Sequence, residues 1–165
     1  MSIDKHMQTT EKKMSVRTLC FLLNQDKVLL GKKKKGLGKG NYVGIGGKME
    51  DKDKTVLDAI IRDVEEEVNV TPNNLREVAV ITFLFPEKPE WEMIVHAYTS
   101  DSWQGVPRET DEIMPVWFKK EEIPYAEMWD DAKYWLPKVL KGEKLRAIFT
   151  YDTNIKVKEH KITEY

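Results

Sequence analysis

Residues 60–70 read IIRDVEEEVNV, so Asp63, Glu65, Glu66 and Glu67 crowd into a stretch otherwise rich in Ile and Val. On an α-helix Asp63, Glu66 and Glu67 stand at i, i+3 and i+4, and their carboxylates share one face. Glu65 points away and is expected to be solvated. Three carboxylates on one face repel one another unless something cancels the charge. A hard divalent cation does so, because it takes oxygen ligands. Mg²⁺ keeps several waters and uses few carboxylates together with substrate phosphates, so the cluster suits a phosphate substrate. The plain alternative is a wet acidic helix face. Against it stands GIGGKMEDKDKT (44–55), which leads a close-approaching glycine backbone into the same helix. Backbone carbonyls there, Gly46 included, can ligate a metal, and Lys48 can meet phosphate.

These groups need elements to hold them. KTVLDAIIRDVEEEV (54–68) carries Val56, Leu57, Ile60, Ile61, Val64 and Val68 at helical spacing, which predicts a helix with one apolar stripe. Ahead of it, VRTLCFLL (16–23) and VLLGKKK (28–34) read as strands joined by the turn residues NQDK. GLGKGNYVGIGGK (36–48) holds six glycines and predicts tight or positive-φ backbone. EVAVITFLF (77–85) and WEMIVHAYTSD (91–101) read as strands around a PEKPE hairpin loop, and MPVWF (114–118) as a short strand. WDDAKYWLPKVLKG (129–142) predicts a second helix in which Pro137 could introduce a kink or a stop. KLRAIFTYD and IKVKEHKIT close the chain as a hairpin. Several strands with two helices predict an α+β domain with a mixed or antiparallel sheet.

Composition narrows the function classes. The 165 residues suit one domain, and 41% hydrophobic content with 10% aromatic residues argues against disorder. A net charge of −1, at 33% charged residues, argues against non-specific nucleic-acid binding. Cys20 is the sole cysteine and is expected to be a buried, inert thiol in a reducing compartment. No apolar run approaches membrane-spanning length and no signal-peptide core is present, so the expected location is cytoplasmic, without membrane partners. Residues 1–13 are polar and patternless, expected to be a flexible arm or an expression remnant; 14–165 are expected to form one domain. His96, in an apolar strand, is expected to be a satisfied core residue.

GGKMEDKDKTVLDAIIRDVEEEVNV (46–70) resembles the Nudix box, G-x5-E-x7-R-E-U-x-E-E-x-G-U with U apolar. Gly47 matches the opening glycine, Arg62 the arginine, Val64 the apolar position, and Glu66 and Glu67 the paired glutamates. The resemblance implies an α/β/α sandwich with a mixed sheet and a loop–helix–loop catalytic motif. It also implies hydrolysis of nucleoside diphosphate linkages dependent on Mg²⁺, with Mn²⁺ as a substitute. Arg62 is then structural, pairing with a helix or loop carboxylate to fix ligand geometry. Three departures stand out. Asp63 replaces the first helix glutamate and is one methylene shorter, so Asp63→Glu is expected to speed the enzyme. Asn69 replaces the glycine. One extra loop residue leaves the early glutamate position on either Asp53 or Lys54.

Beyond the box, VLLGKKKKGLGKGNYVGIGGK, DSWQGVPRETDEIMPVWF and EMWDDAKYWLP resemble the oxidised-purine nucleoside triphosphatases, the 8-oxo-dGTP diphosphatases related to MutT. That resemblance implies that Glu112 approaches the metal from a loop, joining Asp63, Glu66 and Glu67 as catalytic and metal-binding residues. It implies that Trp129 stacks on the purine and that Asp131 hydrogen-bonds its edge. Thr18, Lys33 and Phe83 fall at positions lining the same pocket. Val43 stands where the family has a base-contacting Asn, and Ala132 where it has a second Asp. Losing those polar partners weakens discrimination of the base edge. The expected activity releases nucleoside monophosphate and pyrophosphate from 8-oxo-dGTP or related purine triphosphates, as nucleotide-pool sanitation. The alternatives are a Nudix hydrolase of another nucleotide with relaxed base selectivity, or a weakly catalytic nucleotide-binding module. The expected partner is the small nucleotide, bound by a monomer.

Overall fold

A computed structural model describes residues 14–165, so the expected arm at 1–13 lies outside the described residues. The chain forms β1 (Ser15–Asn24), β2 (Lys27–Lys33), β3 (Tyr42–Val43), α1 (Val56–Val68), β4 (Thr71–Asn73), β5 (Arg76–Leu84), β6 (Met93–Ser100), β7 (Ser102–Gln104), β8 (Ile113–Lys119), α2 (Ala132–Leu140), β9 (Leu145–Tyr151) and β10 (Val157–Glu164). The main sheet runs β10-β9-β5-β6-β1-β2-β3, with β8 also paired to β2. It is mixed: β1 lies parallel to β6 and β5 parallel to β9, while the β1/β2, β5/β6 and β9/β10 pairs are antiparallel. β4 and β7 form a separate small ladder.

Side-chain alternation along β1 distributes the apolar residues over two layers. Phe21 enters one cluster with Trp135, Leu136 and Val139 of α2. Cys20 and Leu22 enter the other, with Ile60, Val64 and Val68 of α1. A sheet covered by one helix on each face is the predicted α/β/α sandwich. Burial pushes the Cys20 thiol up to about 12, which makes it the inert thiol expected.

Helix α1 begins two residues later than the apolar spacing alone suggests. Thr55 caps it, its side chain accepting the Asp58 N–H at 3.0 Å. Asn69 ends it at φ 62°, its N–H reaching the Glu65 carbonyl, so Asn does here what glycine usually does at a helix end. Leu57 falls off the buried stripe and is 45% exposed. Helix α2 begins at Ala132, because Asp131 turns its side chain toward Trp135 and does not cap the helix. Pro137 sits inside α2 without ending it.

Candidate active site

The glycine turn and α1 meet over β1. A Cβ at Gly46 would overlap the Thr18 carbonyl oxygen, so only glycine lets the turn lie against this strand. A Cβ at Gly47 would stand 2.9 Å from Asp63 Oδ1, so the turn also seats directly on the acidic helix. Backbone bonds lock the approach: the Thr18 N–H donates to the Gly47 carbonyl at 2.9 Å, and Met49 N–H to Val16 at 2.9 Å.

Arg62 organises the carboxylates behind this turn. Its Nε and Nη2 fork onto Asp53 at 2.9 and 2.6 Å. Its Nη1 lies 2.9 Å from Glu50, 3.0 Å from Asp63 and 3.3 Å from Glu66. Nη2 also donates to the Lys48 carbonyl at 3.2 Å. The open choice between Asp53 and Lys54 therefore falls to Asp53, which the guanidinium holds down at about 2. A forked contact of this kind fixes both position and orientation.

The three helix acids differ in environment. Asp63 is 4% exposed; it accepts the Thr18 hydroxyl at Oδ2, 2.6 Å away. Burial raises its pKa, with the Thr18 bond and Arg62 opposing. Glu66 is exposed and touches only the rim of Arg62. Glu67 is half-buried, and its Oε2 is buried without any hydrogen-bond partner. Burial pushes Glu67 up to about 7, helped by the neighbouring charges of Glu112, Asp63 and Glu66, while Lys33 tempers the rise. Glu112 is exposed on the loop before β8, which Thr110 ties to α1 by donating to the Glu67 carbonyl at 3.0 Å. Glu65 is exposed, as expected.

An orphaned, partly desolvated carboxylate oxygen is costly unless a cation or donor meets it. Carboxylates such as Glu67, Glu66 and Glu112, and a backbone carbonyl such as that of Gly46, are the hard oxygen donors that a divalent cation takes. Among the described residues no three Asp, Glu, His or Cys side chains stand close enough together to hold a metal ion by themselves.

The remaining candidates divide by layer. Lys33 closes β2 and donates to the Leu37 carbonyl at 2.7 Å, pinning the glycine loop. Gly38, at φ 81°, brings this loop against Lys33 and Trp129: a Cβ there would meet Trp129 Nε1 at 3.3 Å and Lys33 Cδ at 3.9 Å. Trp129, Phe83 and Asp131 gather on the α2 side. Phe83 is buried and stacks on Phe149 at 5.8 Å. Asp131 is 7% exposed, with Trp135 Nε1 donating to one oxygen at 2.8 Å and Tyr151 Oη donating to the other. Val43 packs instead with the α1-side cluster. The Thr18 hydroxyl is committed to Asp63. The Lys48 side chain is exposed beside a groove of about 490 Å³ that runs along Met49–Lys52. His96 is half-buried, its Nδ1 3.2 Å from Glu77.

Two residues that organise the site, Tyr151 and Asp53, are not marked out by motif spacing alone. Asp53 had a signal, since an arginine on α1 needs a carboxylate partner. Tyr151 had none, because its partner is 20 residues away at the start of α2 and is reached only when that helix packs on the sheet.

A NUDIX domain family model matches residues 13–139. The chain is 35% identical over 147 residues to the oxidized purine nucleoside triphosphate hydrolase of Mus musculus, covering 89% of this chain and 93% of that one. The Danio rerio protein of the same name is 35% identical over the same coverage. In fold, the chain is similar to a MutT protein from Bacillus halodurans, with a TM-score of 0.77 at 21% identity, covering 90% of this chain and 97% of that one.

Proposed function

Because the chain belongs to the NUDIX family and is a hydrolase of that family, we propose that it hydrolyses purine nucleoside triphosphates, oxidised ones such as 8-oxo-dGTP foremost, to the monophosphate and pyrophosphate. Family hydrolases generally require a divalent metal, and we assign Mg²⁺ here, with Mn²⁺ as substitute. The observation that carries the reading is the unpartnered, buried Glu67 Oε2, with the charges of Glu112 and Asp63 near it and Asp63 itself seated against the glycine turn. The named relatives from mouse and zebrafish support the substrate class.

Glu67, Glu66, Glu112 and the Gly46 carbonyl would hold a divalent cation, and Asp63 braces that set from its buried seat. A bound divalent cation would neutralise phosphate charge and lower the pKa of a coordinated water. Arg62 holds the loop carboxylate Asp53 against the helix, so the acids keep their spacing. Lys33 and Lys48 offset phosphate charge. Trp129 stacks on the purine, with Phe83 behind it and Asp131 at the base edge, while Val43 and Thr18, expected to line the same pocket, pack on the α1 side of the sheet. Glu66 or Glu112 accepts the proton of the attacking water; a new P–O bond forms as the bond to the pyrophosphate leaving group breaks. We take residues 14–165 as one domain, because β9 and β10 extend the same sheet beyond the matched segment. We further propose a cytoplasmic monomer that does not bind nucleic acid; among the described residues no helix is long and apolar enough to cross a membrane.

A second reading has its own support. Val43 and Ala132 offer no hydrogen-bonding groups to a base, so purine selectivity is relaxed relative to a fully polar pocket. Pyrophosphate release from a panel of 8-oxo-dGTP, dGTP, dATP and dinucleoside polyphosphates tests both. Preference for 8-oxo-dGTP supports the first reading, equal turnover of the purine triphosphates supports the second, and turnover of none of them defeats both.

A further inference from the structure

Tyr151 ends β9 directly under the base-side residues, and its contacts converge on them. Its hydroxyl donates to Asp131 Oδ1 and accepts the Asp131 backbone N–H at 3.1 Å. Its ring stands edge-on to Trp129, with centroids 6.1 Å apart, and tilted to Phe83 at 6.3 Å. Phe85 stacks on its face at 5.0 Å, so the ring cannot turn away without breaking core packing. One buried side chain thus touches Trp129, Phe83 and Asp131 together.

The hydroxyl governs what Asp131 can offer. A carboxylate has about four lone-pair directions. Tyr151 occupies one on Oδ1, and Trp135 Nε1 occupies one on Oδ2 at 2.8 Å. What is left for a ligand is a single set of acceptor directions, fixed by two donors that are themselves 2% exposed. Without the hydroxyl, Asp131 would keep one anchor and gain rotational freedom about its own side-chain bonds. Ala132, the next residue, is apolar and offers no polar group that could restore the geometry.

We propose that Tyr151 is a positioning residue for base selectivity, presenting Asp131 to the donor edge of the purine. The proposal rests on the purine triphosphate reading above. It concerns only the base end and leaves the phosphate chemistry to the α1 acids.

Tyr151→Phe keeps the ring and removes the hydroxyl, so it is the variant to compare. Two substrates are needed: dGTP, whose edge carries N–H donors, and the unsubstituted purine nucleoside triphosphate, whose edge carries none. The expected result is a loss of about tenfold in kcat/KM for dGTP, carried by KM, the size of one hydrogen bond to a charged group. The unsubstituted purine is expected to be unaffected, and Tyr151→Phe should add nothing in an Asp131→Asn background. Equal losses on both substrates, or no loss on either, would overturn the proposal. Where wild type turns over 8-oxo-dGTP alone, that substrate takes the place of dGTP and the same loss is expected; wild-type protein inert toward 8-oxo-dGTP and both other substrates would instead defeat the reading beneath it, and the proposal with it. Should Tyr151→Phe fail to fold, Trp135→Phe removes the other donor to the same carboxylate. It is expected to give the same selective loss, and an unselective one would overturn the assignment.

Discussion

The Thr18 hydroxyl donates to Asp63 Oδ2 at 2.6 Å, and both residues are almost wholly buried, at 1% and 4% exposure. The bond joins β1 to α1 at the point where the glycine turn crosses. Thr18→Val keeps the shape and strips the donor, leaving a buried carboxylate oxygen short of a partner. The expected cost is about 1–3 kcal/mol of stability, read by urea denaturation, with a fall in kcat. Thr18→Ser should retain most of both.

Asp63 itself reverses an expectation drawn from the family. The motif suggests that Asp63→Glu restores a full-length acid and a faster enzyme. In the structure the Asp63 carboxyl is wedged between Thr18, Arg62 and Gly47. One more methylene must overpack this seat, at about 1–3 kcal/mol. A lower melting temperature and a rate no higher than wild type are expected. A faster enzyme of unchanged stability would show that the seat has room.

Arg62 and Asp53 form a forked pair in which the aspartate is 9% exposed and the arginine side chain 15%. Removing one partner leaves the other without its charge, so single variants should cost more than half the double variant. Arg62→Ala, Asp53→Ala and the pair together are expected to show a coupling of about 1–3 kcal/mol in a denaturation cycle. Additive losses would mean that Glu50 and Glu66 substitute for Asp53.

Glu67 sets a pH dependence whose sign is fixed. Its folded pKa is raised to about 7 from an ordinary 4.5. The neutral form is favoured in the folded chain, so its contribution is complete below the ordinary value and is lost as pH rises through about 7. Metal-free protein should therefore lose about 1–3 kcal/mol between about pH 5 and pH 8, and Glu67→Gln should flatten that slope. Asp131, raised to about 6 by burial, leaves a residual slope of the same sign. Added Mg²⁺ should restore stability to the wild type at the upper end.

Helix α1 and most of the sheet were legible because apolar spacing reports which face is buried, and caps such as Thr55 refine the ends. β3, β4 and β7 were not, since strands of two or three residues exist only through their partners. The acidic trio was legible from i, i+3, i+4 spacing, but its division of labour was not. Burial is a tertiary property, and it separates the solvated Glu66 from the half-desolvated Glu67 and the sealed Asp63. Thr18 illustrates the same limit: its position suggested a pocket wall, while its hydroxyl turned out to be committed to Asp63. Tyr151 was illegible for the reason that makes it informative, because β9 brings it under Asp131 only once the sheet has closed.

The central claim is that Glu67 supplies the cation site at the turn-facing side of α1. The most direct measurement is Mn²⁺ binding by paramagnetic resonance, comparing wild type with Glu67→Gln at equal folded concentration. Wild type is expected to bind, and the variant to bind at least about tenfold more weakly, as loss of one charged oxygen ligand requires. Equal binding by the two proteins, or none by wild type even with nucleotide present, would contradict the account.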